Sequence, residues 1–451
     1  MRAIIYARYC MIWGDVMTTQ QKLEILGAAA KYDASCASSG LNRAGKSGSV
    51  GCTTSAGICH AWTEDGRCIS LLKVLLTNHC IYDCAYCPNG CSHDVPRAAF
   101  QPRELAELTV EFYKRNYVEG LFLSSGVVKS PDYTVELLIR TLKILREEYR
   151  FRGYVHAKVI PGTDERLIEE LGRLADRVSV NVEFASKRSM ALLAANKDHR
   201  HILPPMKYIS QRVEENRGVS WRGKKQVAFA PAGQSTQLIV GATPERDLLL
   251  MRLAEGLYGG YGMKRVYYSA YIPVVSNPLL PALGFQPPKL REHRLYQADW
   301  LLRFYGFQVQ DLLNEAHQDL PLQYDPKVDY ALRHRELFPV EIGTADYEML
   351  LRVPGIGVQS AGRIVAARRY GIPDEQALRK MGVVWKRAAY FITCNGKFYG
   401  RLSTDHALLE QVMVEPRALV QPSLFDGGFD GGEKARDSAH YSAMPLLGEP
   451  A

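Results

Sequence analysis

The chain of 451 residues has no apolar run approaching the roughly 18 residues of a membrane span, so a transmembrane reading fails. It also lacks a secretory pattern: Arg2 and Arg8 interrupt the short apolar start, no small-residue cleavage site follows, and Met17 is itself a candidate start. Its ten cysteines are therefore not expected to form a secreted disulfide framework. A reducing cytoplasm is the expected context. Apolar residues make up 47% of the chain, enough to fill a core and leave room for two domains.

Acidic residues are scarce in one place. Between Arg352 and Arg401 stand ten Lys or Arg against Asp374 and Glu375, while the rest of the chain balances at 46 basic and 46 acidic residues. The net charge of +8 thus sits in one late segment. That predicts a local polyanion contact rather than a generally basic surface.

Five regions are expected. Residues 1–68 form a cysteine-containing, Gly/Ser-rich extension with one amphipathic helix, KLEILGAAAKY. In 69–285 the strand-like runs SLLKVLL, EGLFLSS, GYVHAKVI, RVSVNVEF, QSTQLIVG and RVYYSAYI occur, with the helical patterns RELAELTVEFYKRN, TVELLIRTLKILREEY and DERLIEELGRLA between the earlier ones. Such alternation argues for an α/β fold whose parallel sheet closes partly into a barrel. Residues 286–340 read as a helical connector, 341–402 as an all-α domain, and 403–451 as a mostly disordered tail.

TNHCIYDCAYCPNG, residues 77–90, follows the first strand of the alternating region and carries Cys80, Cys84 and Cys87. In βα barrels the loops at the strand C-termini hold the chemistry. Three thiolates on one loop can bind zinc or an iron–sulfur cluster, but structural zinc prefers four ligands, typically paired on separate loops. Three ligands on a four-iron cubane leave one iron open. The pattern C-x₃-C-x-aromatic-C, with Tyr86 as the aromatic, resembles the signature of the radical S-adenosylmethionine superfamily. The resemblance implies a [4Fe-4S] cluster on those cysteines, S-adenosylmethionine chelated by the open iron, and one-electron reductive cleavage to a 5′-deoxyadenosyl radical. It also implies a partial (βα)6 TIM-like barrel and an external electron donor.

The same resemblance suggests contacts for S-adenosylmethionine, Tyr86 among them. Where the superfamily has a Gly-Gly-Glu-like turn, LFLSSG offers Ser124, Ser125 and Gly126, with no Glu. Asn181 and Glu183 share a face of VSVNVEF by period-two alternation, suited to ribose hydroxyls or to an ordinary polar barrel mouth. QLIVGATPE resembles a G-x-I-x-G-x-x-E pattern around Ile239 and Gly241, with Glu245 one residue late. His156 and Lys158 share a face of the third strand.

Upstream, Cys36, Cys52, Cys59 and Cys68 are separated by 15, 6 and 8 residues, which does not match a zinc ribbon. Cys36, Cys59 and Cys68 are candidates for a second cluster, against the alternative of scattered thiols. Cys91 and Cys394 read as bystanders.

LLRVPGIGVQSAGRIVAARR fits the helix-hairpin-helix pattern through Val353, Pro354, Gly355, Ile356, Gly357, Ala361 and Ile364. Its glycines allow a tight turn that exposes backbone N–H groups at a helix N-terminus, where phosphate is favoured. A degenerate copy, LRKMGVVWKRAAYFI, follows at a shift of 28 and aligns Met381, Ala389 and Ile392 with Val353, Ala361 and Ile364. Arg363, Lys386 and Arg387 are the candidate phosphate contacts, and a hairpin used for protein packing is the alternative.

YDASCASSG, GICHAWTEDGRCISLLKVLLTNHCIYDCAYCPN, GLFLSSGVVKSPDYT, APAGQSTQLIVGATPE, REHRLYQADWLLRFYGF and LLRVPGIG together resemble a family of bacterial radical S-adenosylmethionine proteins described as DNA modification or repair proteins. That resemblance spans roughly residues 17–400. It implies DNA as partner and substrate, and a uracil-DNA-glycosylase-like protein encoded beside it. The expected activity is base modification or lesion repair. A tRNA-modifying enzyme of the same chemistry, and a non-catalytic iron–sulfur adaptor on DNA, are the alternatives. In the tail, QPSLF resembles a sliding-clamp-binding peptide through Gln421, Leu424 and Phe425, with packing on their own domain as the alternative.

Overall fold

The computed structural model describes residues 17–30, 58–62, 68–217, 228–400 and 413–414. Cys36, Cys52 and the QPSLF peptide lie outside these residues. The chain divides into two compact units, one running to Thr243 and including Leu257–Phe285, the other comprising Pro244–Gly256 and Gln286–Gly428. No described helix is long and apolar enough to cross a membrane.

The first unit is built on a seven-stranded sheet in sequential order: β1 (Ile58–Trp62), β2 (Cys68–Leu75), β3 (Gly120–Ser124), β4 (Tyr154–Lys158), β5 (Arg177–Ser179), β6 (Gln234–Val240) and β7 (Met263–Ala270). β2 to β7 pair in parallel, and β1 adds an antiparallel edge. The sheet curls into a half-barrel, the partial barrel expected from the alternation. The antiparallel β1 falls in the stretch read as a Gly/Ser-rich extension; five residues gave too short a run to separate from loop.

Helices occupy the crossovers: α2 (Pro102–Lys114) after β2, α3 (Pro131–Lys143) after β3, α4 (Glu165–Leu174) after β4, α5 (Lys187–Leu193) and α6 (His199–Arg217) after β5, and α7 (Asp247–Tyr261) after β6. An earlier helix, α1 (Thr19–Ala30), precedes the sheet. Local sequence starts them: Pro131 takes the first position of α3, and the preceding Ser130 accepts the Tyr133 N–H at 3.1 Å. Every residue of β6, QSTQLIV, is buried, as a strand covered on both faces requires. Register aligns the strand ends, Leu75 with Ser124 and Lys158 with Ser179, so the following loops gather at one rim.

The second unit contains α8 (Lys289–Phe304), α9 (Val309–Leu312), α10 (Pro326–Arg333), and two helix pairs, α11 (Tyr347–Arg352) with α12 (Val358–Ala367) and α13 (Glu375–Lys380) with α14 (Trp385–Ala388). It is not all-α. A small sheet orders β10 (Lys397–Phe398), β9 (Ile392–Cys394) and β8 (Val340–Glu341) side by side. The internal repeat ends there: Ile364 lies in α12, whereas its counterpart Ile392 opens β9 and pairs with Val340. The aromatic and β-branched run YFIT favours strand over a longer second helix.

Candidate functional site

The three cysteines sit on a loop closed at its neck and organised from within. Thr77 bridges Ala99, the Thr77 hydroxyl donates to Ala98 O at 2.8 Å, and Asn78 exchanges bonds with Pro96 O and Ala98 N–H, each at 2.8 Å. Inside, the Arg97 guanidinium donates to four carbonyls, those of Asn78 and Gly90 at 2.6 Å and of Asn89 and His93 at 2.8 Å. One rigid, permanently charged fork thus satisfies the turn's inward oxygens. Sequence reading did not single out Arg97; a charged residue near the end of an irregular, polar loop was the available signal.

The β3 turn packs directly against this loop. Gly126 N–H donates to Thr77 O at 2.7 Å, and a Cβ on Gly126 would come within 2.4 Å of His79 O. Glycine is required there by backbone contact. The Cys80 sulfur accepts N–H groups from Tyr82 and Val127, both at 3.4 Å. Burial raises the Cys84 thiol, and pushes the Cys87 thiol up to about 12. Such thiols stay protonated until a metal displaces their protons.

Cys80, Cys84 and Cys87 line one cavity of about 220 Å³ with Tyr86, Ser124, Ser125, Gly126, Asn181 and Glu183. The structure therefore brings together six of the seven residues expected to contact S-adenosylmethionine. Gly241, with φ +84°, is not in the cavity wall, although Ile239 is. The Ser125 hydroxyl donates to Gly126 O at 2.7 Å. Lys158 lines the cavity, while His156 of the same strand is 2% exposed and packs edge-on against Phe122.

Among the polar side chains in the wall that were not expected are Lys197 and Gln237. Asn181 Nδ2 donates to Gln237 Oε1 at 3.2 Å and to Glu183 Oε2 at 3.5 Å, and Lys197 Nζ donates to Glu183 Oε1 at 2.8 Å and Tyr86 Oη at 3.1 Å. Glu183 adopts φ +64° as it rejoins β6 through a bridge to Leu238. A non-glycine residue held there marks a locally constrained site. Burial works against the Lys197 charge, but Glu183 and then Tyr86 and Cys84 hold the ammonium well above the usual lysine range.

Cys59 and Cys68 do not share this site. Cys59 pairs with Leu71, which lies three residues from Cys68, so strand alternation puts the two cysteines on opposite faces of the sheet. Cys59 is buried with Ile69, Leu71 and Phe122, and Cys68 is exposed.

In the second unit, Gly355 has φ +85° and its carbonyl accepts the Val384 N–H at 2.9 Å. Pro354 and Ile356 are buried in the unit's core. Gly357 caps α12, and Tyr305 Oη takes hydrogen bonds from Trp300 and from the Val358 backbone in the first turn. Buried Lys327, also missed in the sequence, donates to Ile356 O at 2.5 Å. Arg363 and Lys386 are exposed, Arg363 reaching Met381 O at 3.2 Å. Arg387 pairs with Asp325 at 2.5 Å. Of the three expected phosphate contacts, two face solvent and one is bound internally.

Residues 74–215 match the model of the Radical SAM superfamily, so this part of the chain is similar to a radical SAM domain. That superfamily uses a [4Fe-4S] cluster and S-adenosylmethionine. The residues present fit those groups: all three cysteines line the cavity, and Tyr271 Oη, which has no hydrogen-bond partner among the described residues, is buried in the same cavity. Similar solved structures include a HydG maturase of the [FeFe]-hydrogenase (12% identity, TM-score 0.38) and HydG from Carboxydothermus hydrogenoformans (14%, 0.37). Methylornithine synthase, PylB, is another (14%, 0.37). The matches cover 51%, 51% and 50% of this chain, which spans 48%, 50% and 60% of those chains. A search of the curated proteins found no match.

Proposed function

We propose that this enzyme acts on DNA, modifying or repairing a base by radical chemistry. Cys80, Cys84 and Cys87 would hold the cluster, and Asn181, Glu183 and Ser124 would face S-adenosylmethionine. When bound, these groups supply a 5′-deoxyadenosyl radical after uptake of one electron from an external donor. The residues around them preorganise the site. Arg97 keeps the cysteine loop in one conformation, Gly126 lets the β3 turn close on it, and the buried wall excludes water from a reactive species.

The observation that carries the DNA reading is the charge excess between Arg352 and Arg401, with Arg363 and Lys386 exposed in the hairpin pairs. Phosphate contacts of this kind position a duplex without reading its sequence. A base inside a duplex would have to be flipped out, or the substrate would be single-stranded. The test is incubation of reduced, reconstituted protein with S-adenosylmethionine and either DNA or tRNA, followed by mass spectrometry of the nucleosides. A changed deoxynucleoside is expected. A change in tRNA alone would make this a tRNA-modifying enzyme; cleavage of S-adenosylmethionine with neither polymer altered would overturn the nucleic-acid assignment.

A further inference from the structure

The segment between α5 and α6 holds the cysteine loop from outside. Leu193 O accepts the Ala85 N–H at 2.8 Å, and Asn196 Oδ1 accepts the Asp83 N–H at 3.3 Å. Lys197 then reaches inward, bonding Glu183 and Tyr86, with Nζ 5.8 Å from the centre of the Tyr86 ring. Its side chain is 16% exposed and that of Glu183 6%, so water screens the pair poorly.

A cubane held by three thiolates becomes more negative by one charge when it accepts an electron, with no proton required. Charges fixed outside the ligands then set how readily it does so. A nearby ammonium favours the reduced state and a carboxylate opposes it. We propose that Lys197 is a positioning residue that fixes Tyr86 in the cysteine loop and, as a buried ammonium bonded to that loop, raises the reduction potential of the cluster. Glu183 aims that ammonium, accepting its hydrogen bond at 2.8 Å. This inference rests on the cluster being held by Cys80, Cys84 and Cys87.

The experiment is an electron paramagnetic resonance titration of the reconstituted full chain against low-potential mediators, without S-adenosylmethionine, so that contacts to that molecule do not enter. Lys197→Met is expected to lower the midpoint potential, Lys197→Arg to stay near the wild type, and Glu183→Gln to raise it. Because Lys197→Met leaves Glu183 buried without its ion-pair partner, the neutral double variant Lys197→Met/Glu183→Gln supplies a folded control, expected between the two single variants. A double variant and Lys197→Met that both bind the cluster at the wild-type potential would overturn the proposal, as would loss of the cluster in Lys197→Met with wild-type potential in the double variant. A cluster that persists in Cys84→Ala would instead retire the cysteine assignment.

Discussion

Gly355 and Val384 meet backbone to backbone: the Val384 amide donates to the Gly355 carbonyl at 2.9 Å, and a Cβ on Gly355 would lie 2.6 Å from Val384 O. Gly355 therefore joins the two helix pairs. Gly357 differs, since a Cβ there meets Tyr305 Oη at an ordinary 3.4 Å.

Gly355→Ala is accordingly expected to destabilise the protein by about 2 kcal/mol or more, combining positive-φ strain with a clash against backbone. Gly357→Ala should cost less than about 1 kcal/mol. Denaturant unfolding of the full chain, comparing the midpoints of the two variants, checks the contrast. Equal midpoints would contradict it.

DNA binding should separate the basic residues in the same way. Lys386→Ala or Arg363→Ala is expected to flatten the plot of log affinity against log salt by roughly one unit for each phosphate the variant no longer neutralises. Arg387→Ala should instead cost a few kcal/mol of stability, because it strands buried Asp325. Fluorescence anisotropy across a salt series, with unfolding curves alongside, distinguishes the two effects.

Iron content tests the cysteine assignment. Anaerobically reconstituted protein should contain about four irons per chain, since one cubane is expected. Cys84→Ala should abolish both the cluster and cleavage of S-adenosylmethionine. Cys68→Ser should leave the iron count unchanged, because Cys59 and Cys68 face opposite sides of the sheet. A count near eight that falls in Cys68→Ser would establish a second cluster.

Lys327 should give the stability a pH dependence of definite sign. Burial lowers its ammonium from 10.5 to about 7, with Asp325 opposing and Arg387 assisting. Below about pH 7 both folded and unfolded chains hold the proton, and the cost of burying the charge is fully present. Between about 7 and 10.5 the unfolded chain holds a proton the folded chain has released, so stability rises with pH. Lys327→Met should remove that part of the slope; identical slopes in a pH series of unfolding curves would refute it.

The cysteine spacing, the alternation of strands and helices, and the PGIG turn were legible in the chain because each depends on neighbours a few residues apart. From them came the half-barrel, the loop bearing Cys80, Cys84 and Cys87, and the excess of charge in the late segment. The antiparallel β1 was not legible, since an edge strand is defined by the partner it pairs with. Nor were Lys197 and Gln237: Gln237 bonds Asn181 from 56 residues away, and Lys197 meets Tyr86 from 111. Local spacing specified which residue types could bind a cluster and where chain turns would fall. That Gly126 and Gly355 serve backbone contact and that Arg387 commits its charge to Asp325 emerged with the folded chain, because contacts between distant segments depend on how the chain folds back and carry no signature in local spacing.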